Sequence, residues 1–258
     1  MTEASFLKAV GMFLISMVRF SGFFINLPVF GESAIPMRIK AGLSAMCALI
    51  ITPHLIATQN LPELSVPGYV LMAVREMTLG FSIGFIVLLV MDSLRLAGQI
   101  IGMQIGFSFV QVADPSSNHS LGIVSEFFQM LGSLFFLVIG GHLLVLQAFF
   151  QSFEIIPLAK LQITPGIVEE IALYSRMIFI CGLQISMPII GVILVGDVGL
   201  GIIARTVPRM NVFQVGFSLK ILGGLIIMVL LMPYLGDIIR NLLNISIGEI
   251  NTIINQMG

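Results

Sequence analysis

The sequence has little charge, few polar aromatic residues and few cysteines. Only 10% of its 258 residues are charged, Trp is absent, and it contains three Tyr and two Cys. So few charges exclude an ordinary soluble domain of this length. A net charge of −1 gives no basic surface for nucleic acid. Cys47 and Cys181 each lie in an apolar run, far apart, so we expect two buried apolar side chains with no disulfide or metal site.

Apolar residues are abundant instead. They make up 57% of the chain, and the mean hydropathy is +1.08. Apolar stretches of about 20 residues, the length that crosses a bilayer core, recur along the sequence. Six such segments are predicted, at residues 10–30, 41–57, 69–91, 123–153, 171–195 and 212–235. Short connections marked by proline separate several of them, which indicates an all-α membrane protein.

Several charged residues lie within or next to these apolar segments. A charge near the bilayer centre is costly, so such side chains usually face protein or water. Neighbours in sequence point in different directions on a helix, so an adjacent pair needs separate partners. Each charge alone is also compatible with a side chain that reaches the lipid headgroups. Together they favour a chain that packs among other subunits, with six candidate inter-subunit polar residues: Arg19, Arg75, Glu76, Glu126, Arg205 and Lys220.

The stretch from Asp92 to Pro115 differs from a simple lipid-spanning helix. Gly98, Gly102 and Gly106 recur every four residues, a spacing that lets another backbone approach closely. The amides and hydroxyl in the same stretch would give a polar strip if it is helical. The polar residues are Gln99, Gln104, Ser108 and Gln111, and the stretch ends at Asp114-Pro115. It either lines a polar path or packs tightly against protein.

Motifs for catalysis are missing from the sequence. His54, His119 and His142 are scattered and have no metal-ligand spacing. The sequence has no G-x-S-x-G, no phosphate-binding loop and no H-E-x-x-H. The run GDVGLG at 196–201 lacks the Lys-Ser/Thr of a phosphate loop, which favours helix packing or a hinge there. We therefore expect no enzymatic activity, no cofactor and no metal.

Four stretches of the chain together resemble a known family. They read RFSGFFINLPVFGESAIPMRIKAGLS from Arg19, GQIIGMQIGFSFVQVADP from Gly98, IGGHLLVL from Ile139 and ARTVPRMNVFQVGFSLKI from Ala204. In this order they resemble the FliR family of flagellar export-gate proteins, whose counterpart in virulence type III secretion is SctT. The resemblance covers nearly the whole chain. The glycine-spaced, glutamine-rich centre favours the flagellar branch, and the virulence branch is the alternative.

This resemblance implies a fold and a set of partners. The family is all-α and membrane-associated, with tilted helical hairpins. Residues 1–170 would form a FliP-like part, and residues 171–258 a FliQ-like hairpin and tail that turns near 205–211. One such chain would assemble with FliP-like and FliQ-like subunits into a closed pore in the bacterial inner membrane, at the flagellar basal body. An FlhB-like subunit would bind that complex, exported flagellar proteins would pass through it, and lipid would surround it.

The resemblance also implies roles for the central stretch. It would supply a loop that plugs the pore, with seven gating residues: Gln104, Gly106, Phe107, Ser108, Phe109, Gln111 and Asp114. Gly98, Gly102 and Gly106 would pack helices together. A packing element without a gating role remains open, as does a small multispan transporter that works alone and uses its charges as ion or substrate sites. An intramembrane enzyme ranks last, because no catalytic pair is present.

Overall fold

The computed structural model describes residues 3–31, 35–62, 65–107, 122–160, 166–207 and 211–257. Within these ranges the regular structure is helical and contains no strand, as predicted. The described ranges contain seven helices: α1 Glu3–Asn26, α2 Met37–Thr58, α3 Val66–Ile105, α4 Ile123–Val138, α5 Gly141–Ile155, α6 Gly166–Thr206 and α7 Val212–Met257. Five are long and apolar enough to cross a membrane, or six spans if α4 and α5 count as one. The chain is therefore an all-α membrane protein.

Helix α3 is longer than the apolar segment that predicts it. The prediction ended at residue 91 because charged residues follow, whereas the helix continues to Ile105. Asp92 and Arg95 lie on one face of the helix, with 3.4 Å between Asp92 Oδ2 and Arg95 Nη2, so each charge has a local partner. Such a pair is compatible with helix. The predicted packing glycines Gly98 and Gly102 thus lie in the last turns of α3.

The fourth predicted apolar segment contains two helices. Residues 123–153 divide into α4 and α5 at Ile139 and Gly140. Gly140 has a φ of +76°, a left-handed conformation that glycine adopts without a steric penalty. The carbonyl oxygen of Gly140 then accepts hydrogen bonds from the N–H groups of Leu143 and Leu144, which begins α5. Hydropathy missed the break because glycine does not interrupt an apolar run.

The chain forms two compact units. The first contains residues 1–89, 140–174 and 243–258, and the second contains residues 90–139 and 175–242. Helices α3 and α7 each contribute residues to both units. The core of the first unit is aromatic: Phe23 of α1 stacks on Phe149 of α5 with ring centroids 4.3 Å apart, and Phe20 packs against the same ring in a tilted arrangement at 4.8 Å. Such pairs stabilise beyond their buried area.

Three glycines bring α1 and α3 close together in the first unit. Gly22 of α1 lies against the backbone of Met77, and Gly80 of α3 lies against the carbonyl of Arg19. A Cβ at Gly84 would be 2.6 Å from the carbonyl oxygen of Phe23. Backbone atoms cannot move aside as the end of a side chain can, so these positions require glycine. The sequence analysis did not single out this contact.

We expect Gly84→Ala to destabilise the first unit. The added methyl group would force α1 and α3 apart, at a cost of about 1–3 kcal/mol for overpacking. Gly42→Ala is the matched control, because a Cβ there meets nothing within 4 Å. In an exposed helix, alanine gains up to about 1 kcal/mol over glycine. Thermal unfolding of the purified variants measures both, and an unchanged midpoint for Gly84→Ala would contradict the close approach.

Candidate functional site

A fully buried ion pair lies at the centre of the first unit. Arg19 of α1 and Glu76 of α3 have side chains with no exposed surface, and Arg19 Nε is 2.5 Å from Glu76 Oε2. The guanidinium carbon also lies 4.2 Å from the centroid of the Phe153 ring. Removing two charges from water is costly, and their attraction offsets this only when the remaining polar atoms are also bonded.

The remaining polar atoms of this pair bind the end of α5. Arg19 Nη1 donates to the carbonyl oxygen of Ser152 at 3.2 Å, and Nη2 donates to that of Ile156 at 3.1 Å. Both oxygens lie at the C-terminal end of α5; that of Ser152 also accepts from the N–H of Ile156 at 3.0 Å, whereas that of Ile156 lies beyond the last turn, where carbonyls lack helical partners. A cation there is also favoured by the helix dipole. Arg19 therefore caps α5 while it pairs with α3.

Glu76 and Gln59 hold the segment that follows α5. Glu76 Oε1 accepts a hydrogen bond from the backbone N–H of Ala159 at 3.1 Å. Gln59 donates to the carbonyl of Phe153 at 2.7 Å and accepts from the N–H of Leu158 at 2.9 Å. Ala159 has a φ of +70°, which is uncommon for a residue with a side chain. The three side chains Arg19, Glu76 and Gln59, here called the polar cluster, thus fix a strained turn.

The polar cluster corrects one expectation. Arg19 and Glu76 were assigned to contacts with other subunits, but each finds its partner within the chain. Hydropathy identified two charges that needed partners and could not show that they are partners of each other. The neighbouring Arg75 is half-buried, and among the described residues no carboxylate pairs with it. Gln59 was missed because a lone glutamine in a loop carries no sequence signal.

A second ion pair lies in the hairpin of α6 and α7. Lys220 Nζ is 2.8 Å from Asp197 Oδ1, and the two side chains are 30% and 35% exposed. Lys220 was expected to contact another subunit, whereas Asp197 belongs to the facing helix of the same chain. The break between α6 and α7 falls within the predicted turn at 205–211. Arg205, in the last turn of α6, is exposed, as is Glu126 in the first turn of α4.

The glycines of α3 in the second unit differ from one another. A Cβ at Gly98 would lie 2.7 Å from the Cα of Ser125, so α3 and α4 touch through their backbones there. Ser125 Oγ also donates to the carbonyl oxygen of Arg95 at 3.0 Å across the same contact. At Gly102 the nearest atom would be 3.5 Å away, an ordinary contact. Of these two glycines, Gly98 requires glycine for packing and Gly102 does not.

Gly106 ends α3 and does not belong to the packed face of the helix. Its φ is +101°. The N–H of Gly106 donates to the carbonyl of Met103 at 3.2 Å, and the N–H of Phe107 donates to the carbonyl of Gly102 at 2.9 Å. This is the hydrogen-bond pattern of a Schellman motif, in which glycine takes the left-handed position after the helix. Gly106 was expected to pack helices together; it follows the last turn of α3, and among the described residues a Cβ there would lie 3.1 Å from the ring of Phe217 in α7.

Part of the predicted plug lies outside the described residues. Gln104 lies in the last turn of α3, and Gly106 and Phe107 form the turn that follows. Ser108, Phe109, Gln111 and Asp114 fall in the gap between residues 107 and 122. Their gating role therefore stays a prediction.

No constellation for catalysis or metal binding emerges from the parts of the chain that the structure describes. Groups of three or more His, Cys, Asp or Glu side chains able to hold a metal ion are missing from those parts. The charged groups that do meet are two ion pairs on facing helices, Arg19 with Glu76 and Lys220 with Asp197. Such pairs hold helices together, so the arrangement is structural.

We expect removal of one member of the buried pair to be severe. Glu76→Leu leaves the Arg19 charge buried without a partner, at a cost of about 3–5 kcal/mol. The double variant Arg19→Met with Glu76→Leu should lose less than the two single variants combined, because no charge stays buried. Thermal unfolding of the four proteins measures this coupling. Arg95→Met, in the partly exposed pair with Asp92, is the control and should cost less than about 1 kcal/mol. Additive losses at Arg19 and Glu76 would contradict the pairing.

Comparison with known proteins identifies the family. Residues 10–245 match the family model described as "Bacterial export proteins, family 1". The chain is 30% identical over 252 residues to the "Flagellar biosynthetic protein FliR" of Bacillus subtilis (strain 168), with 95% of each chain covered. It is 26% identical over 260 residues to that of Escherichia coli (strain K12), covering 99% of this chain and 97% of the relative. It is 29% identical over 249 residues to that of Pectobacterium carotovorum subsp. carotovorum, covering 96% and 95%. The chain therefore belongs to the FliR family of bacterial export proteins, family 1.

Proposed function

We propose that this chain is a non-enzymatic subunit of the flagellar type III export gate. It lies in the bacterial inner membrane at the flagellar basal body. With FliP-like and FliQ-like subunits it forms the closed pore through which flagellar proteins are exported, and an FlhB-like subunit binds the complex. This proposal rests on the similarity of the chain, over nearly its full length, to relatives named as flagellar biosynthetic proteins.

The exposure of the hairpin helices supports a role within an assembly. In the apolar windows of α6 and α7 only 28% and 17% of the residues are buried within the chain. Large apolar side chains such as Val195 and Val229 are 72% and 65% exposed. Patches this extensive mark contact with lipid or with other proteins. Asp197 and Lys220, partly exposed on the same hairpin, favour protein neighbours, because charges are costly in lipid.

The flagellar branch is favoured over the virulence branch. The relatives described above carry flagellar names, and they match almost from end to end. Export of flagellar subunits is therefore the proposed transport activity, and a virulence SctT role is the alternative. Flagellar assembly in a strain that lacks its own FliR, restored by this chain, would distinguish the two.

Assembly is the first test of this function. Expressed alone, the chain should aggregate in detergent, because the exposed faces of α6 and α7 lack partners. Coexpressed with FliP-like and FliQ-like chains, it should purify in a stable complex that contains one copy of it. Native mass measurement of the complex, with each partner omitted in turn as a control, gives the composition. A well-folded monomer that gains no partner on coexpression would contradict the proposal and favour a transporter that works alone.

We further propose that the segment from Gln104 to Asp114 plugs the closed pore. The described part supports this through the abrupt end of α3 at Gly106, which releases the chain from the helix just before Phe107. Aromatic side chains fill volume, and a hydrophobic constriction blocks ions by excluding water. Phe107 and Phe109 would supply that constriction, while Gln104, Ser108, Gln111 and Asp114 would hold the segment by hydrogen bonds.

The plug predicts a leak when its aromatic residues are removed. Phe107→Ala with Phe109→Ala should raise the resting uptake of small solutes in cells that contain the complete gate, while the complex still assembles. Phe6→Ala, at an exposed position of α1, serves as the control for loss of a phenylalanine. Solute uptake or membrane conductance at matched complex levels is the measurement. Unchanged uptake with an intact complex would assign the seal to another subunit.

A further inference from the structure

The two helices of the α6–α7 hairpin each contain one proline. Pro188 lies within α6 and Pro233 within α7. Proline has no N–H, so Pro188 cannot donate to the carbonyl of Gln184, and Pro233 cannot donate to that of Val229. Each helix therefore lacks one backbone hydrogen bond. Proline positions are also where helices bend most sharply.

The two prolines lie one helical turn apart along the hairpin, and the hydrogen bonds that they remove lie at the same level. The ion pair between Asp197 and Lys220 and the contact of Leu200 with Gly216 fix which residues face each other. Both helices rise by the same distance per residue, and they run in opposite directions. Pro188 lies nine residues before Asp197, and Val229 lies nine residues after Lys220, so Pro188 and Val229 are level with each other. By the same register, Gln184 lies level with Pro233. Each proline thus faces the residue whose hydrogen bond the other proline removes.

A cavity beside this level supports the register independently. It encloses about 60 Å³ and is lined by Gln184 and Pro188 of α6, by Met228 and Met232 of α7, and by Phe128 of α4. Residues that line one small cavity lie at one level, and these flank both prolines. The volume exceeds the space of a single water molecule. Methionine side chains adapt readily to irregular space, so the walls can repack when the helices bend.

We propose that this layer, formed by Gln184, Pro188, Val229 and Pro233, is a hinge of the hairpin. Both helices lack a hydrogen bond in the same layer, so they bend together and keep the Asp197–Lys220 pair intact. The cavity gives the bend room on the side of α4. The hinge lets the turn end of the hairpin swing together with the end of α3, where Gly106 lies against Phe217, while the root of the hairpin stays packed. This inference goes beyond the proposed function, since it concerns the mechanics of this chain.

Distances between spin labels can measure the swing. One label pair joins Met130 of α4 to Ile202, beyond the hinge, and the other joins Met130 to Phe179, before it; all three side chains are 61–76% exposed. Ile202 lies about 21 Å along the helix from Pro188, so a bend of about 20° would move it by about 7 Å. The full-length chain is studied in lipid nanodiscs, with its copurified partners and with both native cysteines replaced by alanine.

The hinge predicts different distance distributions for the two pairs. In the unmodified helices the Met130–Ile202 distribution should be broad and the Met130–Phe179 distribution narrow. The double variant Pro188→Ala with Pro233→Ala should narrow the Met130–Ile202 distribution to about half its width, because both backbone hydrogen bonds are restored. Pro53→Ala restores the equivalent backbone hydrogen bond in α2. It is the matched control and should leave the width of the Met130–Ile202 distribution unchanged.

Three results would overturn the hinge. These are equal widths for the two pairs in the unmodified helices, no narrowing in the double variant, or equal narrowing by Pro53→Ala. The comparison of the two label pairs needs no proline substitution. It therefore tests the hinge even if the double variant fails to fold. The readout is a distance rather than export, and therefore its failure is distinct from a failure of the proposed function.

Discussion

The buried pair of Arg19 and Glu76 is the interaction on which the first unit depends. Two charges with no exposed surface are tolerable only when their polar atoms are bonded, and the hydrogen bonds that achieve this reach α1, α3, α5 and the turn after α5. Displacement of any of these elements would leave a buried polar group unbonded. The pair therefore fixes the relative position of three helices more strictly than apolar packing, which is not directional.

The glycine contact between α1 and α3 makes this pair possible. Gly80 lies directly against the carbonyl of Arg19, so the two backbones are close at the level from which the arginine side chain extends. At that separation the guanidinium reaches past α3 to the end of α5, and Glu76 lies one turn from Gly80 on the same helix. Close backbone contact and buried charge thus form one arrangement. A larger residue at Gly80 would disturb both.

The sequence predicted the helices better than the contacts of their polar side chains. Apolar length located the helices of the described ranges that are long enough to cross a membrane, because a bilayer demands about 20 such residues. It did not show the break at Gly140, where a backbone conformation starts a new helix, or the continuation of α3 past Asp92, where a local ion pair gives each charge a partner. The ion-pair partners of Arg19 and Lys220 could not be predicted either. Glu76 is far from Arg19 in sequence, and Asp197 lies in a glycine-rich run that was interpreted as a packing or hinge patch. Periodicity shows that a buried charge needs a partner, and only the fold shows which one.

Two of the ion pairs in the described residues, each between facing helices, illustrate different uses of charge in a membrane protein. Arg19 and Glu76 are fully buried, and their bonds cap a helix and fix a turn, so they serve one conformation. Asp197 and Lys220 are about one third exposed and join only two helices that already run side by side. Such a pair holds the register of the hairpin without opposing a bend that both helices make together, because Asp197 and Lys220 each move with their own helix. The hairpin also lacks backbone hydrogen bonds at Pro188 and Pro233, and it buries little of its apolar surface within the chain. Rigidity in the first unit and compliance in the hairpin therefore follow from where the sequence places its few charges and its prolines.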